Sequence, residues 1–245
     1  MSRGGMKIRV GHLYPEYLNI YADRGNIAVL AGRAAARGHE LEVVPIGLGD
    51  PVPPGIDLFY VGGGQDREQE LIAPDLAGKA EPLRAAADAG AAFLAVCGGY
   101  QLLGRSYRDV SGAELPGAGL LPLHTVAGEK RMIGDVLLEC AWAGETLAGF
   151  ENHAGRTILD PGSEPLGRVI SGFGNDGASG YEGCRAGRIY GTYLHGPLLP
   201  RNPWLADRLL SEALGGEELE PLPDELERAA HAVSAARARE RGGKF

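Results

Sequence analysis

The chain has 245 residues, 44% of them hydrophobic and 23% charged, with a formal net charge of −8 at neutral pH. That length and composition fit a globular protein with a sizeable core, and the acidic balance argues against a nucleic-acid groove or an anionic membrane surface as main partner. The N-terminus, MSRGGMKIRVGHLYP, lacks the apolar core of a signal peptide, no run approaches the ~18 apolar residues of a membrane span, and three cysteines at unpatterned spacing (Cys97, Cys140, Cys184) suggest neither a disulfide framework nor a zinc site, so a cytoplasmic protein is expected.

In chain order, KIRVGHL (7–13) alternates and is β-rich, and GNIAVLAGRAAARG (25–38) reads as a helix closed by Gly38. ELEVVPI (40–46) is a second strand and DLFYVGGG (57–64) a third, which runs into three glycines. A helical segment follows over 67–89, with Pro74 and Pro82 dividing it. AAFLAVC (91–97) is the fourth strand, and GGYQLLGRSY opens the next helix. Strands alternating with helices at this spacing predict an α/β protein with a doubly wound, mostly parallel sheet flanked by helices.

After about residue 115 the pattern changes to short β-like pieces, DVLLEC, TLAGFENH, GRVISG and GRIYGTYLH, separated by glycine-rich turns. They are expected to decorate the sheet as extra strands in the second half, the last one returning to it. NPWLADRLLSEAL (202–214) reads as a helix with Asn202 as N-cap and Pro203 at its first position. The closing segment, PDELERAAHAVSAARARERGGKF, predicts a polar, solvated C-terminal helix with arginines near its end. No repeat or long linker divides the chain, so a single domain over 1–245 is expected, with a core of about 6–215 and a helical extension of about 216–245.

VGGG and VCGG both fall where parallel strands reach their C-terminal edge, the side on which open α/β sheets bind ligands. A cysteine on a strand-to-helix turn stands above that edge, and the helix N-terminus favours its thiolate. Gly98 and Gly99 supply the small neighbours such a nucleophile elbow needs. The N–H after the nucleophile can point at a developing oxyanion, and Gly63 and Gly64 let further backbone amides approach a ligand. Either glycine cluster alone would be only a tight turn; two at one edge, one holding Cys97, indicate a site.

A thiol nucleophile needs a base. Among six histidines, His153 in ENHAGRT and His195 in GTYLHGP are flanked by glycine. His195 ends the β-like run that should return to the sheet edge, which makes it the better candidate.

CGGYQLLG and GTYLHG resemble the cobyric-acid-synthase-like branch of the class I glutamine amidotransferase superfamily, whose fold is flavodoxin-like. YLNIYADRGNI, VGGGQDREQ, GFENHAGRT and GTYLHGPLLP narrow the resemblance to the GatD family, the glutaminase subunits of lipid II isoglutaminyl synthases. The resemblance implies that Cys97 attacks the side-chain amide of L-glutamine, giving a thioester and ammonia, while His195 serves as base and then acid. It implies an oxyanion hole from the backbone N–H groups of Gly64 and Gly98, with Arg131 in EKRMIGD holding the glutamine carboxylate. Gln101, one helical turn after Cys97, and Gly63 are expected as further substrate contacts.

Many class I glutamine amidotransferases carry a glutamate two residues after the histidine; here that position is Pro197. His195 then needs another carboxylate or carbonyl, or a group donated by a partner, and the partner is the expectation. The chain also lacks G-x-x-x-x-G-K-[ST] or another nucleotide loop, so ammonia made here is expected to be used elsewhere. The implied partner is a MurT-like Mur ligase homologue that activates the D-glutamate α-carboxyl of lipid II. ATP and Mg2+ are expected on that partner, with no cofactor or metal in this chain, no nucleic acid and no membrane insertion. The competing readings are the glutaminase part of a cobyric-acid-synthase-type enzyme, a non-catalytic scaffold of the same fold, and a general thiol hydrolase.

Overall fold

The computed structural model describes residues 5–19 and 24–241. Residues 20–23 of the YLNIYADRGNI motif and the last four residues of the chain lie outside that description.

The first half follows the alternation in the sequence: β1 Lys7–Leu13, α1 Arg24–Ala35, β2 Glu40–Ile46, β3 Leu58–Val61, α2 Asp66–Gly78, α3 Ala80–Asp88, β4 Ala92–Val96 and α4 Gly98–Leu103. All residues of β3 and β4 are buried, as expected of strands covered on both faces. Phe59 and Phe93 stack across them at 4.7 Å. Gly38, at φ 78°, ends the first helical segment as the sequence suggested. The 67–89 segment breaks elsewhere than expected. Pro74 lies inside α2, and the interruption falls at Lys79, whose φ and ψ are −89° and 0°. Pro82 sits in the first turn of α3, where a missing N–H costs little.

β1 pairs in parallel with β2 and β3, and β3 with β4. β4 pairs in parallel with β12, Ile189–Thr192, and β11, Cys184–Ala186, closes the edge antiparallel to β12. The order is β11-β12-β4-β3-β1-β2. The last β-rich run thus returns to the sheet, beside the strand that carries Cys97.

The intervening strands do not decorate that sheet. They form a second one from β5 Ser106–Arg108, β6 Glu114–Pro116, β7 Leu123–Cys140, β8 Glu145–Leu159, β9 Gly167–Ser171 and β10 Tyr181–Glu182. Its spine is the long β7–β8 hairpin, whose register shifts between Ala127 and Met132. β5 and β9 pair with different stretches of β7. The two sheets touch through a bridge in which the His195 N–H donates to Phe150 O at 2.7 Å.

A short 3-10 turn, Leu199–Arg201, leads into α5 Pro203–Ala213. Asn202 precedes α5 but makes no side-chain cap. Its amide instead completes the edge of β8: Oδ1 accepts the Ala148 N–H at 2.9 Å, and Nδ2 donates to Ala148 O at 2.8 Å and Leu198 O at 2.7 Å. The terminal helix α6, Glu225–Arg241, is polar but not free. Ala235 and Ala238 pack with Leu137 and Ala148, and His231 Nε2 meets Thr146 Oγ1 at 2.8 Å. Arg33, 6% exposed, joins α1 to α5 and to the lead-in of α6 through Asp207 at 2.6 Å and Asp224 at 2.7 Å.

Candidate active site

β4 delivers Cys97 to its C-terminal end in a strained turn, with φ 49° and ψ −108°. Among the described residues only Tyr14 shares a positive φ without being glycine. Such a backbone is costly for an L-residue and marks a nucleophile elbow. The turn is over-determined by its neighbours: the Cys97 N–H donates to Thr192 O at 2.8 Å, and Cys97 O accepts the Gln101 N–H at 3.0 Å.

The VGGG turn lies directly against the elbow. The Gly99 N–H donates to Gly62 O at 3.1 Å. A side chain on Gly98 would place its Cβ 3.0 Å from Gly64 N and 3.0 Å from Gln69 Nε2, and one on Gly99 would press on Val61 at 2.7 Å. These glycines let two backbone turns approach within contact distance. Among the described residues no carbonyl accepts the N–H of Gly64 or of Gly98.

Cys97, Gly64, Gln101 and Arg131 line one cavity of about 620 Å³, together with Gln69, Tyr107, Asn152 and His153. Gly63 and Gly98 are buried in the turns behind that lining, and His195 is fully buried. His195 nevertheless belongs to the same edge, because Val96 and Thr192 are register partners one and three residues before Cys97 and His195. A larger cavity, about 920 Å³, lies against Trp142 and Trp204 and carries none of the expected site residues.

Arg131 leans on the second sheet, donating to Asn152 Oδ1 at 2.8 Å and Asn152 O at 2.9 Å, with further N–H donors left for an anion. Gln101 is buried and donates to the Tyr193 hydroxyl at 3.1 Å, and that hydroxyl meets Thr157 Oγ1 at 2.6 Å. His153 stacks flat on Tyr193 at 3.5 Å, and its Nδ1 meets Gly155 O at 2.8 Å. Burial pushes the His153 pKa down, against a pull upward from Glu151, which approaches Nε2 at 3.7 Å. Burial, then Asp66 and Asp109, push the Tyr107 hydroxyl up to about 12.

Sequence reasoning set His153 aside, yet it is the histidine on the cavity wall. It also missed Tyr193, Glu151 and Glu182, all fully buried around the segment that ends in His195. Tyr193 and Glu151 lie in the quoted GTYLHG and GFENHAGRT motifs, so their positions were in view, but a buried tyrosine or glutamate has no periodicity that marks it. Among the described residues no group of three or more His, Cys, Asp or Glu is placed to hold a metal ion, and no helix is long and apolar enough to cross a membrane.

A strained cysteine between two glycine turns, at the C-terminal edge of a doubly wound sheet, fits a nucleophile elbow, and residues 9–203 match the CobB/CobQ-like glutamine amidotransferase domain. The chain belongs to that family. Within it, the chain is 39% identical over 222 residues to the lipid II isoglutaminyl synthase (glutamine-hydrolyzing) subunit GatD of Staphylococcus aureus (strain N315), covering 90% of each chain. The GatD subunit of Streptococcus pneumoniae (strain ATCC BAA-255 / R6) is 39% identical over 210 residues, covering 85% of this chain and 81% of that one. Cobyric acid synthase of Synechococcus sp. (strain CC9605) is 37% identical over 167 residues, which is 64% of this chain and 31% of that protein. Among solved structures, PurLQS from Thermotoga maritima matches with a TM-score of 0.57 at 19% identity, over 86% of this chain and 99% of that one. The crystal structure of a glutamine amidotransferase matches with a TM-score of 0.54 at 20% identity, over 83% of this chain and 98% of that one. Both share the α/β fold.

Proposed function

We propose that this chain is the glutaminase subunit of a lipid II isoglutaminyl synthase, hydrolysing L-glutamine and passing ammonia to a MurT-like partner. The observation that carries the chemistry is the strained Cys97 in a cavity shared with Gly64, Gln101 and Arg131. The likeness to GatD subunits over more than four-fifths of both chains supports the choice of pathway, since cobyric acid synthases are matched over about a third to a half of their length.

In this reading Arg131 holds the glutamine α-carboxylate, and Gln101 and the Gly63 turn align the side chain. The Cys97 thiol gives its proton to His195, and Sγ attacks the carboxamide carbon. The N–H groups of Gly64 and Gly98 receive the oxyanion, aimed where charge develops. Imidazolium then protonates the departing nitrogen, the C–N bond breaks, and ammonia leaves a γ-glutamyl thioester. Water, deprotonated by His195, attacks the thioester; the C–S bond breaks, glutamate leaves and the thiol recovers its proton. The ammonia meets a D-glutamate α-carboxyl that the partner has activated with ATP and Mg2+, yielding D-isoglutamine in the stem peptide. The pair would act as a cytoplasmic heterodimer.

The test is amidation of lipid II by the chain together with a MurT-type subunit, with glutamine or ammonium as nitrogen source. Cys97→Ala should abolish glutamine-dependent amidation and leave ammonium-dependent amidation intact. Retention of glutamine-dependent product in that variant would overturn the assignment.

A further inference from the structure

The segment that carries His195 is fastened to a buried acid of the chain itself. Glu182, in β10, is fully buried. Its Oε1 accepts the Tyr193 N–H at 2.6 Å, and the Thr192 hydroxyl donates to the same carboxyl at 3.0 and 3.1 Å. Thr192 Oγ1 in turn accepts the Leu194 N–H at 3.1 Å. The three residues leading into His195 therefore hang on one side chain. On the other side, the His195 N–H is held by Phe150 O at 2.7 Å. The residue after it, Glu151, accepts the N–H groups of Phe173 and Gly174 at 2.6 and 2.9 Å.

Among the described residues no lysine or arginine pairs with Glu182. An ionised carboxylate in that position is expensive. Burial pushes its pKa up to about 8, against the downward pull of the hydrogen bonds from Tyr193 and Thr192, with smaller opposing effects of Glu151 and His195. What the carboxyl supplies is hydrogen-bond geometry at Thr192 and Tyr193. When protonated, the carboxyl accepts the Tyr193 N–H through one oxygen and donates through the other to Thr192 Oγ1, and a glutamine side chain has the same shape and the same pair of functions.

We propose that Glu182 is the positioning residue for His195: bound to Thr192 and Tyr193, it fixes the strand-end segment that brings the imidazole to Cys97. The proposal rests on reading Cys97 and His195 as nucleophile and base. It places inside this chain a support that the sequence, with Pro197 after the histidine, led us to expect from a partner.

Two full-chain variants test it. Glu182→Met keeps the length and removes the hydrogen bonds; Glu182→Gln keeps both. Glutamine hydrolysis is measured for kcat and KM, and iodoacetamide alkylation of Cys97 is followed against pH to report its pairing with the imidazole. Because a small displacement of a catalytic group can cost about 100-fold, Glu182→Met should lower kcat by about 30- to 100-fold with KM within about twofold. It should also move the alkylation inflection to higher pH, and Glu182→Gln should return both readouts close to wild type. Wild-type kcat in Glu182→Met would overturn the proposal, as would an unmoved alkylation profile or a glutamine variant as impaired as the methionine one. Should Glu182→Met fail to fold, Thr192→Val removes the hydroxyl alone and carries the same expectations. A wild-type chain that shows neither hydrolysis nor glutamine-protected alkylation would sink the glutaminase reading instead, while the two alkylation profiles would still decide the role of Glu182.

Discussion

Gly98 is the residue at which the site has least freedom. Its missing Cβ would stand 3.0 Å from Gly64 N, the second proposed oxyanion donor, and 3.0 Å from Gln69 Nε2. Gln69 can shift its amide; the Gly64 backbone, with Leu18 packed on it, has no such slack. Gly98→Ala should therefore push the two N–H groups apart and lower kcat for glutamine by about 100- to 1000-fold, the range for losing an oxyanion donor. Labelling of Cys97 by a small alkylating agent should persist, and a kcat within threefold of wild type would refute the two-amide hole. Arg131 acts on a different quantity. Its contacts to Asn152 hold the guanidinium over the cavity, and its proposed partner, the substrate carboxylate, is present in ground and transition state alike. Charged hydrogen bonds are worth about 1.5–3 kcal/mol, so Arg131→Ala should raise KM by about 10- to 100-fold with little change in kcat. Steady-state kinetics separates the two variants: one loses kcat, the other affinity.

Among the elements, Asn202 shows how a local signal can be right in place and wrong in role. It stands where an N-cap belongs, before Pro203, yet its amide binds both backbone groups of Ala148 in β8. Asn202→Ala strands a buried N–H and a buried C=O together, and unfolding in urea should show a loss of about 3 kcal/mol. A loss below about 1 kcal/mol would mean that β8 re-pairs without it. The difference between the two halves of the chain has the same origin. β1 to β4 pair with near neighbours in a parallel sheet, so apolar runs and glycine turns were enough to place them and the Cys97 elbow. β7 and β8 are single long strands; β8 alternates in burial over most of its length, β7 has an exposed stretch in its middle, and such positions read as turns. Pro74 likewise reads as a break, although the packed helix α2 runs through it. At the site, Cys97 and the glycines were legible because they are turn residues with a chemical reason. Glu182, Glu151 and Tyr193 were not, because their roles depend on a junction between two sheets that no local pattern announces.

At the scale of the whole molecule, the two sheets close over a buried acid, Glu182, and that has a thermodynamic signature. The Glu182 carboxyl, pushed up to about 8 in the fold by burial, returns to 4.5 when the chain unfolds. Below pH 4.5 both states hold the proton. Between 4.5 and about 8 the folded state keeps it and the unfolded state has lost it, so this group draws stability away as pH rises through that window and adds nothing further above it. The full swing is at most about 5 kcal/mol. Asp224 works in the opposite sense. Its partner Arg33 holds its pKa below the usual value, so its contribution is present at neutral pH and lost as pH falls through the folded value. The summed contribution of these two groups is therefore largest on the acid side of neutrality. Replacing Glu182 with Gln removes the alkaline branch alone. Urea unfolding of both proteins at a series of pH values should give a glutamine variant whose advantage over wild type grows between about pH 5 and 8 and then levels off. A stability difference that stays flat across that range would show that the carboxyl is already ionised in the fold, and the hydrogen-bond geometry assigned to it would have to be replaced by a charge interaction with His195.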